Sequence, residues 1–362
     1  MIADVMNKIL YLMGIDWYWI KQRPQIIAEM LSKDYDITVA YYHEVFVKQS
    51  LRSEKDELRK SFAIPAIPYR DKNKLAFVIQ SLFFLKIIRS IQKYDVIWIT
   101  HPLLYRYIPA SYQGQIVYDC MDNHAELCCD DQIRKKIVEI EQDLVVRADL
   151  IFASSVGLKE KIISLRKDAD PVLVRNGFIF DKLHLPVTEK KPKEKYYIGY
   201  FGTIAEWFDF SVLLATLNYF PQLEYHLWGP VANIEIPQHS RIIMEGVIEH
   251  SALWNSIKTM DCLIMPFKLT EAIKDVDPVK LYEYISMGKA IVSVYYSELE
   301  RFKPFVHFYY DNTDLNELFH RLILNHFQPG YDASQQRKFL ERNSWVNRYT
   351  IIKEKLDERS AR

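Results

Sequence analysis

Short β-branched and aromatic runs alternate with longer stretches of helical periodicity along most of the 362 residues. Apolar runs at 8–13 (KILYLM), 36–42 (DITVAYY), 62–67 (FAIPAI), 95–100 (DVIWIT), 115–119 (QIVYD), 150–154 (LIFAS) and 171–176 (PVLVRN) predict strands. Between them, 23–33, 73–93 and 131–148 carry apolar residues at helical spacing and predict helices. Such alternation argues for parallel sheets covered on both faces. Residues 180–195 (FDKLHLPVTEKKPKEK) break the pattern: lysine-rich, with two prolines and little periodicity, they read as a linker. Strand-like runs then resume at 196–202, 223–230, 241–246, 261–267 and 289–295. The pattern predicts an α/β chain of two Rossmann-like, doubly wound domains facing a cleft. Ligands of open parallel sheets bind beyond the carboxyl ends of the strands, which makes the loops after each strand the functional candidates.

Composition narrows the classes. Lys+Arg and Asp+Glu both number 47, so the formal charge is zero and a nucleic-acid partner is not expected. The four cysteines have neither zinc-site spacing nor disulfide density, which suits a reducing cytoplasm. The N-terminal apolar run reads as a first strand and not as a secretory leader. The longest apolar stretch, 75–91, is interrupted by Gln80, Ser81, Lys86 and Arg89 and is too short to span a bilayer. It is expected to face the core for the most part; peripheral docking on an anionic membrane is the other reading. No Gly-x-Ser-x-Gly, His-Glu-x-x-His or Walker loop occurs, and the first strand is followed by GIDWYW, without the glycines of a dinucleotide fingerprint.

The stretch DVDPVKLYEYISMGKAIVS, residues 275–293, carries the most chemistry. Asp277-Pro278 is a helix-start signal and Gly288 a stop signal, predicting a helix over 278–287 with Asp277 as N-cap. The first turn would leave the amides of Val279, Lys280 and Leu281 free, at the positive end of the helix dipole, where a phosphate is favoured. Lys280 and Glu283 are three residues apart and share a face. A carboxylate at Glu283 can accept both hydroxyls of a ribose, although the pair also fits a solvated surface ion pair. In the first half, YDCMDNHAEL (118–127) clusters Asp119, Asp122 and His124 after a strand, and His101 has a comparable location; either histidine could instead be structural. Arg23, at the start of the first helix, is placed to meet an anion or to sit on the surface. The acidic pairs Asp275/Asp277 and Asp119/Asp122 could share a divalent cation, but with Asp277 as a cap no metal is expected.

The 275–293 stretch resembles the nucleotide-sugar element of GT-B glycosyltransferases, in particular glycosyltransferase family 4 enzymes of bacterial surface-polysaccharide synthesis. Glu283 stands at the second acidic place of that motif and Asp275 at the first, one methylene shorter than the usual Glu. VLVRNGFIF, IGYFGTIAEWFD, GVIEHSALWNSIKTMDCLIMPF and SWVNRYTIIKEKL are similar to further family segments, so the match spans roughly 172–356 and is vaguer before that. It implies an acceptor-side domain at 1–179, a linker at 180–195, a nucleotide-sugar domain at 196–340 and a helix at 341–362 returning to the first domain. It further implies transfer from a nucleotide-sugar, a UDP-sugar in most such enzymes, to a glycan or lipid-linked acceptor with retention. No cofactor is implied beyond the donor, which is itself a substrate. On this reading Glu283 holds ribose, Asp275 the donor sugar, and Lys280 with Lys268 the diphosphate. Gly202 lets the backbone approach the phosphates, and His124 lies near the reacting carbon with Asp122 beside it. Arg23 and His101 fall on the acceptor side. Two departures stand out: Thr203 and Phe208 occupy places where the family usually has Arg and Lys, and GIDWYWIKQRP replaces its Gly-rich first loop. A GT-B-shaped nucleotide-sugar 2-epimerase and a non-catalytic partner subunit are the alternatives.

Overall fold

The computed structural model describes residues 7–19, 21–43, 60–180, 183–186, 190–248 and 250–360. The chain divides into two compact units, Met1–Arg175 with Tyr349–Arg362, and Asn176–Arg348.

The first unit contains β1 (Lys8–Met13), α1 (Arg23–Leu31), β2 (Asp36–His43), β3 (Ser61–Pro65), α2 (Lys74–Ser90), β4 (Val96–Ile99), β5 (Gln115–Cys120), α3 (Asp131–Arg147), β6 (Leu150–Ala153), α4 (Val156–Leu165) and β7 (Val172–Leu173). Its seven strands are all parallel, in the order β3-β2-β1-β4-β5-β6-β7. Strands β4 and β6 are buried along their whole length and β1 at all but its first residue. That burial on both faces is why they read as continuous apolar runs and not as alternating ones. Helix starts follow local side chains: Asn73 accepts from the amides of Leu75 and Ala76, Asp130 from Gln132 and Ile133, and Ser155 from Leu158.

The second unit contains β8 (Tyr196–Phe201), α5 (Phe210–Tyr219), β9 (Leu223–Trp228), β10 (Ile242–Gly246), α6 (His250–Ile257), β11 (Cys262–Met265), α7 (Glu271–Lys274), α8 (Val279–Ser286), β12 (Ala290–Val294), β13 (His307–Tyr309), α9 (Asn312–Leu324) and α10 (Ala333–Arg342). Six parallel strands run β10-β9-β8-β11-β12-β13. Strand β13 was not expected; at three residues it is too short to show a period. The closing helix α11 (Trp345–Ser360) begins in this unit, where the Trp345 amide donates to the Phe178 carbonyl, and ends in the first. There Tyr349 and Lys353 both bind Asp34, and Tyr35 binds Asp357.

Two expectations change, and a third is only partly within the described residues. The strand over 171–176 shrinks to β7, because after Val174 the chain turns away and the Asn176 amide donates to Asp277. The linker at 180–195 falls partly outside the described residues. Helix α2 is not mainly core-facing: only Gln80, Phe84 and Ile87 are buried, and the rest of its apolar side chains are exposed or half-buried.

Candidate functional site

In each sheet the strand order reverses once, between β1 and β4 and between β8 and β11, and it is beyond the carboxyl ends of such strand pairs that a crevice opens. In the second unit the chain leaves β8 through Gly202, at φ +132°, and β9 through Gly229, at φ +140°. These are backbone conformations that favour glycine. The two glycines pack on each other so closely that a Cβ on Gly229 would strike the Gly202 backbone. A Cβ on Gly202 would lie 2.7 Å from Nζ of Lys280. The Lys280 side chain therefore crosses directly over this turn.

Helix α8 begins at Val279, with Pro278 in the capping position and no side-chain cap. This corrects the expected role of Asp277. Its carboxylate is 2% exposed and pairs with Arg301, while accepting from the Asn176 amide at 2.6 Å and from the Tyr282 hydroxyl. Nor are all three amides of the first turn open, since Leu281 is buried and its amide donates to the Pro278 carbonyl at 3.2 Å. The amides of Val279 and Lys280 have no acceptor among the described residues.

Lys280 is half-buried, and its ammonium makes neither an ion pair nor a hydrogen bond among the described residues. It lies 5.9 Å from the ring centroid of Tyr200 and 5.8 Å from that of Phe267. Desolvation lowers its pKa from the usual lysine value, opposed by Glu283. Lys280 and Glu283 are thus electrostatic neighbours without forming the ordinary surface ion pair. Glu283 is half-buried, and Asp275 caps the end of α7. Lys268 is exposed and lines a groove of about 580 Å³ with Phe208, Asp209, Phe210, Ser211, Ile234 and Glu235. Phe208 itself is buried against Tyr200 and Phe210, so the position where a family member usually carries a cation belongs to the core here.

In the first unit, Gly14 follows β1 and packs on His101 after β4, while its amide donates to the Thr100 hydroxyl at 3.2 Å. His101 accepts through Nδ1 from the Leu103 amide, and its ring stands 4.3 Å, centroid to centroid, from that of His124. His124 Nε2 donates to the Thr100 carbonyl at 3.2 Å, which leaves the lone pair on Nδ1. Burial pushes the His124 imidazole down to about 4, against the opposing pull of Glu141 and the Thr100 carbonyl. Burial also holds His101 well below the usual histidine range, helped by His124, Arg106 and Arg70. Both rings are neutral near pH 7. Asp122 lies close to Arg23 and Asp119; burial pushes its carboxyl up to about 7, against the pull of Arg23. Arg23 does not wait for an anion at the surface: it is buried, holds Asp119 at 2.7 and 3.1 Å, and donates to the Val174 carbonyl at 2.6 Å. The structure adds Gly14, Thr100, Tyr200, Phe267 and Gly229 to the expected residues. The glycines carry a readable signal, each directly following a strand.

No family model matches the chain. It is 26% identical over 216 residues to a putative teichuronic acid biosynthesis glycosyltransferase, TuaH, of Bacillus subtilis (strain 168), a match over 54% of each chain. The chain thus spans about half the length of this curated relative. Among solved structures, the lipopolysaccharide outer core galactosyltransferase WaaB in its apo form superposes with a TM-score of 0.65 at 14% identity, covering 97% of this chain and 99% of that one. HepE of Anabaena in complex with UDP-glucose does so with a TM-score of 0.68 at 14% identity, over 97% and 99%. With its seven- and six-stranded parallel sheets, the chain has the two-domain GT-B fold.

Proposed function

We propose that the chain is a glycosyltransferase that moves a sugar from a UDP-sugar to a glycan or lipid-linked acceptor in surface-polysaccharide synthesis on the cytoplasmic side, with retention and without a required metal. The observation that carries this reading is the unpaired Lys280 ammonium, held over the Gly202 turn beside the open amides of Val279 and Lys280. A half-desolvated cation that has Glu283 as an electrostatic neighbour but no ion-pair or hydrogen-bond partner among the described residues gains further once an anion arrives in direct contact. Two amides and a helix dipole aimed at the same place add to that preference. A diphosphate supplies such an anion, and as the glycosidic bond breaks the charge growing on the leaving phosphate is stabilised by the same groups. Glu283, one turn along α8, takes the ribose hydroxyls, Asp275 the donor sugar, and the neutral His124 the reacting carbon with Asp122 beside it. The likeness to TuaH and to HepE, solved with UDP-glucose, supports the donor class.

A panel of nucleotide-sugars tested by thermal stabilisation, followed by linkage analysis of the product, tests the reading. Stabilisation by one UDP-sugar and by UDP, with transfer to a glycan acceptor, is the expected result. Epimerised donor without acceptor would overturn the transferase reading. A non-catalytic partner subunit is the second reading, favoured by the burial of Phe208 where the family carries a cation. It predicts no stabilisation by any donor.

A further inference from the structure

Helix α2 presents two faces that differ sharply. Phe84, buried, packs face to face with Tyr107 and edge-on with Tyr42, and with Ile87 and Ile91 it joins the core of the first unit. On the opposite arc of the same helix, Leu75 is 68% exposed and Leu82 57% exposed, and Val78, Ile79, Phe83 and Leu85 are exposed beside them. These six side chains contain no hydrogen-bonding atom. Toward the C-terminal end the same arc turns basic, with Lys86 and Arg89 exposed and Lys93 exposed in the turn just beyond the helix, and Lys74 stands exposed at the other end. None of these four cations has an ion-pair partner among the described residues. From Lys72 to Tyr94 the sequence contains no Asp or Glu.

We propose that this face of α2 is a membrane-docking surface that lays its apolar arc into the interface of an anionic bilayer. Six apolar chains with cations at both ends and no acid match a surface that is apolar below and negatively charged above. They offer no polar group with which to recognise one particular protein. Contrary to the expectation from the sequence, Lys74–Lys93, which is α2 with the turn that follows it, is long and apolar enough to span a bilayer by length and composition. Spanning would nonetheless require withdrawing Phe84, Ile87 and Ile91 from the core and submerging Lys86 and Arg89, so the helix lies in the interface. Docking there would bring the unit to lipid-carried molecules at the membrane surface.

The test is flotation of the full chain with vesicles of phosphatidylcholine, with and without phosphatidylglycerol, at low and high salt. Binding to the anionic vesicles is expected, weakened by salt. It should fall at least about tenfold both in Leu82→Ser/Phe83→Ser and in Lys86→Glu/Arg89→Glu. All four positions are already solvent-exposed, and unchanged thermal unfolding of the variants verifies that the fold survives. Equal binding by variants and parent, or no binding to anionic vesicles, would overturn the proposal. So would a concentration-dependent dimer in sedimentation that the Leu82→Ser/Phe83→Ser change abolishes, because a second copy would then be the occupant. Flotation requires no transfer reaction, so its outcome is separate from that of the nucleotide-sugar screen.

Discussion

The Lys280 side chain fills the space that a Cβ on Gly202 would need, approaching that site to 2.7 Å at its ammonium. The two positions are 78 residues apart in sequence and jointly form the floor of the proposed diphosphate site. Gly202→Ala must both accept φ +132° and displace Lys280. A loss of about 1–3 kcal/mol in stability is expected from the backbone alone. A loss of UDP-induced thermal stabilisation should accompany it, both read by thermal unfolding with and without UDP.

Lys280→Met keeps the aliphatic stem over Gly202 and removes the charge. A charge-assisted bond to phosphate contributes about 1.5–3 kcal/mol, so UDP should bind about 10- to 100-fold more weakly. Uridine, without phosphates, should be nearly unaffected. Calorimetric titration with both ligands measures the difference, and equal losses would show that Lys280 meets no phosphate.

Glu283→Ala tests the proposed ribose contact. Because the side chain is half-buried on a short helix, the fold should persist while donor affinity and turnover fall by roughly tenfold or more. A comparison of UDP with 2′,3′-dideoxy-UDP sharpens the result: the variant should lose its preference for the diol.

Asp277→Ala separates two roles by magnitude. Loss of a helix cap costs about 1 kcal/mol. Stranding Arg301 by removing its buried partner costs about 3–5 kcal/mol, and the larger figure is expected. Denaturant unfolding of the purified variant gives the number.

Asp122 supplies a pH signature. Its carboxyl is raised from 3.8 to about 7, chiefly by burial, so between these values the folded state holds a proton that the unfolded state has released. Its stabilising contribution is complete below about pH 4 and is lost as pH rises through about 7. Asp122→Asn, which cannot ionise, should therefore gain stability relative to the parent at pH 8 and show no such gain at pH 4. Melting temperatures across this range check the sign.

The strands were readable because a parallel strand covered on both faces is an unbroken apolar run, as VIWI in β4 and CLIM in β11 illustrate. The resemblance carried by residues 275–293 gave the overall architecture. What stayed hidden depended on distant partners. Asp277 beside Pro278 carries a local cap signal, yet its carboxylate serves Arg301, 24 residues on, and Asn176, 101 residues back. Arg23 at the first turn of α1 could not announce that Asp119 would claim it 96 residues later. The apolar positions of α2 lie on both sides of the helix, and no periodicity tells which arc the sheet will cover. Gly14 and Gly202 were visible as glycines after strands, but His101 and Lys280 above them were supplied by other parts of the chain.

Helix α11 makes the first unit discontinuous: residues 349–362 complete a body begun at the N-terminus, after the whole second unit has intervened. During synthesis, the ribosome that has made residue 175 has therefore not yet made the partners of Asp34 and Tyr35, which are Tyr349, Lys353 and Asp357. The half of the protein that is translated first is the last to be finished, and a shortened product ending just ahead of Tyr349 would carry the whole of the second body beside an incomplete first one.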